Sequence, residues 1–258
     1  MKTLKIVKIG GNIIDDNKAL ESFLLEFAKL SGPKLLVHGG GKLATRLANK
    51  MRVEVKMVEG RRITDADTLD IITMVYAGKI NKNIVAQLQK HNCNAIGFTG
   101  ADGNAILSHK RPVKTIDYGY VGDVKKVNSE VISVLIENEV TPAFCAITHD
   151  QSGQLLNTNA DTIASELAIG LSNQYQVELY YCFEKKGVLT DINDEESVVE
   201  LINTANYREL KENGFIADGM IPKLDNCFHA IKKQVSKVCI GKPEMLFNKN
   251  SKYTTVKK

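Results

Sequence analysis

Apolar residues along the chain fall into two alternating rhythms. Short β-branched runs read as strands: Leu4–Ile9 (LKIVKI), Lys34–His38 (KLLVH), Ala95–Phe98, Val140–Thr148, Val177–Phe183 and Lys237–Ile240. Between them lie stretches with apolar residues at helical spacing. Leu20, Phe23, Leu24 and Phe27 mark a helix within 16–30, and Leu69, Ile72, Ile80, Ile84 and Leu88 mark a long one over 65–91. Further helices are predicted from Gly41 to Met51, from Ser129 to Glu139, over 159–171, and near 204–213 and 222–236. This alternation predicts an α/β fold with a mainly parallel sheet. Three stretches break the rhythm and read as hairpins: 53–63 around Glu59-Gly60, the glycine-rich 99–126, and the return around Ser152-Gly153. Thr64, with Asp67 three residues on, resembles a helix cap with an acidic third position. The polar tail NKNSKYTTVKK is expected to fray.

Composition narrows the class. The chain has 258 residues, 43% hydrophobic and 25% charged, which excludes a disordered chain, a collagen and a mini-protein. One α/β domain of this length is common. The net charge is +4, with 34 basic residues scattered among 30 acidic ones, so no nucleic-acid partner is expected. A mild positive balance suits an anionic small molecule. The five cysteines, Cys93, Cys145, Cys182, Cys227 and Cys239, form no C-x-x-C pair and support neither a disulfide framework nor a zinc ribbon. The histidines form no H-E-x-x-H pattern, and no metal ligand is predicted. With no signal-peptide core and no long apolar run, a cytoplasmic protein without a membrane span is expected.

Candidate chemistry gathers at strand ends. The turns Lys8-Ile9-Gly10-Gly11 and His38-Gly39-Gly40-Gly41 each lie where a strand gives way to a helix. Glycine there lets backbone approach a ligand, and a helix N-terminus favours an anion. Two such turns on consecutive strands suggest one polyanion touched from two sides. Gly41-Lys42 is followed by Leu43, so the chain has no Walker A loop. Gly39-x-Gly41-x-x-Ala44 with Glu59 fits a dinucleotide fingerprint, but it follows the second strand; a nicotinamide dehydrogenase is the alternative on motifs alone. Lys8 sits where it would meet a phosphate. Lys223 follows Pro222 in a first helical turn, a poor place for a cation unless an anion is also there. Arg62 could fork onto a carboxylate, with Arg61 on the other face. Asn157, Asn159 and Asp161 cluster at one strand-to-helix turn, and capping explains one of the three.

These segments, with Gly60-Arg61-Arg62-Ile63-Thr64 and Asp218-Gly219-Met220-Ile221-Pro222-Lys223, occur in an order and spacing that resembles the amino acid kinase family, over residues 5 to 241. The resemblance implies a three-layer αβα sandwich around a central, mainly parallel eight-stranded sheet. It implies a single domain over 1–258, with acyl amino acid bound in about 1–175 and ATP in about 176–258. The activity implied is ATP-dependent phosphorylation of the γ-carboxylate of an N-acyl-L-glutamate, acetyl or succinyl, in arginine biosynthesis. Carbamate, glutamate or aspartate kinase activity, or a non-catalytic sensor on the same fold, are the alternatives.

The family pattern carries roles onto matching positions. Lys8 and Lys223 would flank the transferred phosphoryl group, with Asp161 orienting both. Gly40, Gly41, Arg62 and Asn157 would bind the acyl amino acid. Gly10, Gly11, Glu184, Lys185, Gly187, Leu189, Phe215 and Ala217 would receive ATP, accompanied by Mg²⁺. Phe183-Glu184 stands where the family usually has Ser-Asp, which sets this nucleotide side apart. The chain starts at its first strand, without the extra N-terminal helix of arginine-inhibited members, and Thr254-Thr255 stands where those members have a glycine-threonine ending. A homodimer through helix 65–91, without arginine feedback, is therefore expected.

Overall fold

The β-branched runs become strands because most of their side chains are buried on both faces of one sheet. In the computed structural model, which describes residues 1–58, 60–212 and 220–258, the chain opens with β1 (Thr3–Ile9), α1 (Gly11–Asp15), α2 (Asn17–Lys29), β2 (Lys34–His38) and α3 (Gly41–Lys50). The hairpin β3 (Met57–Val58) and β4 (Arg61–Arg62) follows. A helical rod comes next, made of α4 (Ala66–Thr73), a π-helical segment Met74–Ile80 and α5 (Asn81–Lys90). Then come β5 (Ala95–Phe98), β6 (Ile106–Lys110), β7 (Gly122–Val127), α6 (Ser129–Glu137), β8 (Thr141–Phe144), β9 (Ile147–His149), β10 (Leu155–Asn157) and α7 (Ala160–Leu171). The last elements are β11 (Gln176–Cys182), β12 (Leu201–Ile202), α8 (Thr204–Glu212), α9 (Ile221–Lys232), β13 (Lys237–Gly241) and β14 (Thr254–Val256).

Eight strands pair in the order β12-β14-β13-β11-β1-β2-β8-β5. All these pairings are parallel except that of β13 with β14. One face buries Leu4, Ile6, Leu35 and Val37 against Ile132 of α6, Ile163 and Leu167 of α7 and Phe228 of α9. The other buries Val7, Ile9 and Leu36 against Phe23 and Phe27 of α2, Ile72 of α4 and Ile84 of α5. These are the three layers expected. A smaller sheet, β10-β9-β6-β7, collects the glycine-rich hairpins. Among the described residues no helix is long and apolar enough to cross a membrane.

Five expectations are corrected. Val140–Thr148 is not one strand: Thr141–Phe144 stays in the central sheet, Ile147–His149 joins the smaller one, and buried Cys145 and Ala146 make the corner. The tail does not simply fray, because Thr254–Val256 forms β14 between β13 and β12. Fully buried Thr254 accepts the Val188 N–H through its hydroxyl at 2.8 Å, so polar composition hid an ordered strand. Asp65, not Thr64, caps α4, its carboxylate accepting from the Thr68 N–H at 2.9 Å. Likewise Asn128, not Ser129, holds the cap position of α6. The rod over 65–91 is helical throughout, but its middle is π rather than α.

Candidate active site

β1 lies at the centre of the sheet, between β2 and β11. Side chains alternate along a strand, so Lys8 continues the Leu4–Ile6 face, the one covered by α7 and α9. At the C-terminal end of β1 its ammonium meets the first turn of α7: Lys8 Nζ lies 2.7 Å from Asp161 Oδ1. From α9, Lys223 Nζ donates to Asp161 Oδ2 at 2.9 Å. One carboxylate thus joins two lysines that are 215 positions apart in sequence (223 minus 8).

Helix geometry explains the arrangement. Asn159 caps α7, its side-chain oxygen accepting from the N–H groups of Asp161 and Thr162 at 2.8 and 3.1 Å. Asp161 therefore sits in a first turn, where the helix dipole favours an anion. Lys223 sits in the first turn of α9, where the dipole disfavours a cation, and Asp161 offsets that cost. Burial opposes the Asp161 charge, yet Lys8 and Lys223 hold its pKa down at about 2. Tyr181 of β11 braces the group, donating its hydroxyl to the Asp161 carbonyl at 3.0 Å, with its ring 5.8 Å from Lys223 Nζ. Two cations against one anion leave a local positive charge.

The glycine turns close around this trio. A Cβ on Gly10 would stand 3.6 Å from Lys8 Nζ, and one on Gly39 would stand 3.8 Å from the Ala160 Cβ. Gly40 has φ +154°, and a Cβ there would overlap Ile80 Cδ1, so this position requires glycine. Helices α1 and α3 begin at Gly11 and Gly41. The turns, the lysines and the start of α7 thus gather outside the C-terminal ends of β1, β2 and β11, where parallel sheets bind ligands.

Arg62, on the inner face of the β3–β4 hairpin, is only 8% exposed. Its guanidinium donates to the Gly41 carbonyl at 3.1 Å and the Thr45 hydroxyl at 2.8 Å. Both partners are neutral, and neither satisfies its charge. A cavity of about 800 Å³ opens beside it, lined by Gly41, Thr45, Asn49, Val55, Met57 and Arg62. Asn157 donates to the Thr64 hydroxyl at 3.0 Å, and that hydroxyl donates to the Arg62 carbonyl at 3.2 Å, so the NTNAD turn and the hairpin are tied together.

On the opposite side Glu184, just past β11, accepts from the Asn12 amide of the first glycine turn. The Asn12 side-chain oxygen Oδ1 accepts from Lys42 Nζ of the second turn at 3.1 Å. Asn12 and Lys42 were not among the sequence candidates; their only signal was adjacency to the glycine pairs. Lys185 pairs with Glu195 at 3.9 Å. Gly187 is packed on β14, where a Cβ would stand 3.0 Å from the Thr254 nitrogen, and Leu189 bridges to Val198. Packing accounts for both positions. Phe215, Ala217 and Asp218-Gly219 lie outside the described residues, as does Glu59. Among the described residues no group of three His, Cys, Asp or Glu side chains converges on a metal position.

Comparison with known proteins gives a consistent picture. The model of the amino acid kinase family matches residues 3–242. A Cytophaga hutchinsonii protein named acetylglutamate kinase is 57% identical over 247 residues, covering 95% of this chain and 94% of that one. A Bacteroides thetaiotaomicron acetylglutamate kinase is 51% identical, covering 99% and 98%. Among solved structures, carbamate kinase from Giardia lamblia bound to AMP-PNP superposes with a TM-score of 0.71 at 16% identity, over 100% of this chain and 98% of that one. N-acetylglutamate synthase from Neisseria gonorrhoeae superposes with a TM-score of 0.82 at 17% identity, over 100% of this chain and 59% of that one. At those identities the two structures speak to the fold alone.

Proposed function

The chain belongs to the amino acid kinase family, and from that premise we propose that it transfers the γ-phosphoryl group of ATP to the γ-carboxylate of N-acetyl-L-glutamate, in arginine biosynthesis. The observation that carries this reading is Asp161 held between Lys8 and Lys223 beside two glycine turns.

The chemistry needs no general base. A glutamate side chain has a reference pKa of about 4.3 and is already ionised at neutral pH. A carboxylate oxygen attacks the γ-phosphorus; the new O–P bond forms as the bond to the β,γ-bridging oxygen breaks, and ADP leaves with that electron pair. The task is to bring two anions together and to stabilise spreading negative charge. Lys8 and Lys223 stand on either side of the transferred group, and Asp161 fixes their separation. The N–H groups at Gly10-Gly11 and Gly40-Gly41 meet phosphate and substrate oxygens. Arg62 takes the substrate α-carboxylate, its charge unspent on neutral partners, and Asn157 closes the same side. ATP occupies the side of Glu184, Lys185, Gly187 and Leu189, and the family resemblance assigns it Phe215 and Ala217 as well. Mg²⁺ would accompany ATP and offset part of its phosphate charge; it would ask for few protein ligands there, since such sites draw largely on phosphate and water.

In the same reading, residues 1–175 and 176–258 are two lobes of one cytoplasmic domain, and two copies pair through the rod over 65–91. In support of pairing, the rod presents Met74, 51% exposed. A coupled ADP-release assay with N-acetyl-, N-succinyl- and free L-glutamate tests the substrate. An acylated substrate turned over in preference to glutamate is the expected result; equal use of free glutamate, or turnover of none, overturns the reading.

A further inference from the structure

Asn81 is a polar side chain only 1% exposed, under three strands of the central sheet. Its amide donates to the Ala143 carbonyl of β8 at 2.8 Å and to His38 Nε2 of β2 at 3.0 Å. It also fills the space over Gly97 of β5, where a Cβ would overlap its side chain. His38 is fully buried, and burial pushes its pKa down to about 4, so the ring is neutral. Its Nδ1 lies 2.9 Å from the Gly39 carbonyl. A carbonyl can only accept, so Nδ1 carries the proton and Nε2 is left to accept from Asn81. Asn81 thereby fixes the ring that holds the first peptide of the Gly39–Gly41 turn.

The π segment makes this reach possible. The Asn81 N–H donates to the Tyr76 carbonyl, five residues back. On an α-helix, side chains five apart would point about 140° away from each other; the wider π turn brings them to one face. Tyr76 and Ile80 therefore press on Gly40 from the same side that Asn81 meets His38: a Cβ on Gly40 would stand 3.1 Å from Tyr76 Cδ1. The Tyr76 hydroxyl is raised in pKa by burial, against the pull of the neighbouring Arg62 guanidinium. One helical irregularity thus touches the glycine turn and lies beside Arg62: a Cβ on Gly41 would stand 3.9 Å from the Tyr76 hydroxyl and 4.0 Å from Arg62 Nη2.

We propose that the π segment Met74–Ile80 sets the geometry of the acyl amino acid site from outside, with Asn81 and Tyr76 as positioning residues acting through His38, Gly40 and Arg62. This rests on the acylglutamate reading above. Asn81→Ala and Tyr76→Phe are compared with wild type by steady-state kinetics. KM for N-acetylglutamate is expected to rise about tenfold in Asn81→Ala, the size of one lost hydrogen bond at a buried group, and severalfold in Tyr76→Phe, whose hydroxyl stands beside the Arg62 guanidinium. Both kcat and KM for ATP stay within about twofold, the signature of lost uniform binding.

A ¹⁵N spectrum separates positioning from general loosening. In Asn81→Ala the His38 Nε2 resonance moves downfield as its donor is lost, while Nδ1 stays protonated. If Asn81→Ala does not fold, Tyr76→Phe, which removes one hydroxyl, decides the kinetic arm. Wild-type activity with both variants at normal KM for the acyl substrate, or an unmoved Nε2 resonance, overturns the positioning role alone. Wild-type protein inert toward every acylglutamate overturns the function reading and this inference together.

Discussion

The two sides of the cleft are built differently. On the side assigned to the acyl amino acid, Arg62 is buried, donates to two neutral acceptors, and lies beside the π segment. On the side assigned to the nucleotide, charges are paired on exposed chain: Lys185 and Lys242 share Glu195, at 3.9 and 2.9 Å, and Lys186 and Lys252 share Glu196. Buried hydrogen bonds fix geometry before the ligand arrives, whereas exposed ion pairs contribute little and exchange easily. The Lys8–Asp161–Lys223 trio lies between, recessed but reachable, with side chains 13%, 21% and 24% exposed. The contrast predicts strict recognition of the acyl amino acid and an adaptable grip on the nucleotide.

The largest effect belongs to the trio. Lys8→Ala or Lys223→Ala should lower kcat by about 10²–10³, the scale of losing one preorganised donor to a developing charge. Near-normal kcat in either variant contradicts the assigned roles.

Asp161→Asn should follow, with kcat down about 10²-fold from misplaced lysines. It also has a pH signature. The folded-state pKa of Asp161, about 2, lies below its ordinary 3.8. A carboxylate with a lowered pKa stabilises the fold above its ordinary value, and that contribution fades as pH falls from there through about 2. Acid unfolding of wild type should therefore steepen across that window, and the Asn variant should lack that component. Identical acid limbs would show that the ion pairs contribute nothing to folding.

Arg62→Lys should raise KM for the acylated substrate about tenfold with little change in kcat, since an ammonium cannot hold Gly41 and Thr45 while forking onto a carboxylate. A fall in kcat alone would move Arg62 from binding to chemistry. The smallest effect separates the two sides. Raising salt to about 0.5 M should shift KM for ATP more than KM for the acyl substrate, because exposed charges are screened and buried ones are not. Equal salt dependence would erase the contrast.

Much of this was legible in the chain itself. Glycine turns, the two lysines, Arg62 and the NTNAD turn are local motifs, and residue type and spacing carry them. The central strands follow from two-sided burial, which leaves near-continuous apolar runs. The π segment was not legible, because Met74–Ile80 keeps apolar residues at spacings an α-helix also satisfies. Nor was β14, whose threonines bury a hydroxyl that composition counts as polar. The corner at Cys145-Ala146 escaped because an unbroken apolar run does not say which sheet it enters. Asn81 belongs to no motif, and His38 reads only as the first residue of its glycine turn; the bonds between them need strands that are distant in sequence.

Trapping the product tests the central claim most directly. Hydroxylamine converts an acyl phosphate into a hydroxamate and leaves other phosphate esters alone. With ATP, Mg²⁺ and N-acetyl-L-glutamate, the account predicts one hydroxamate per ADP released, lost in Lys223→Ala. ADP released without hydroxamate would mean that the acceptor is not a carboxylate, and would contradict it.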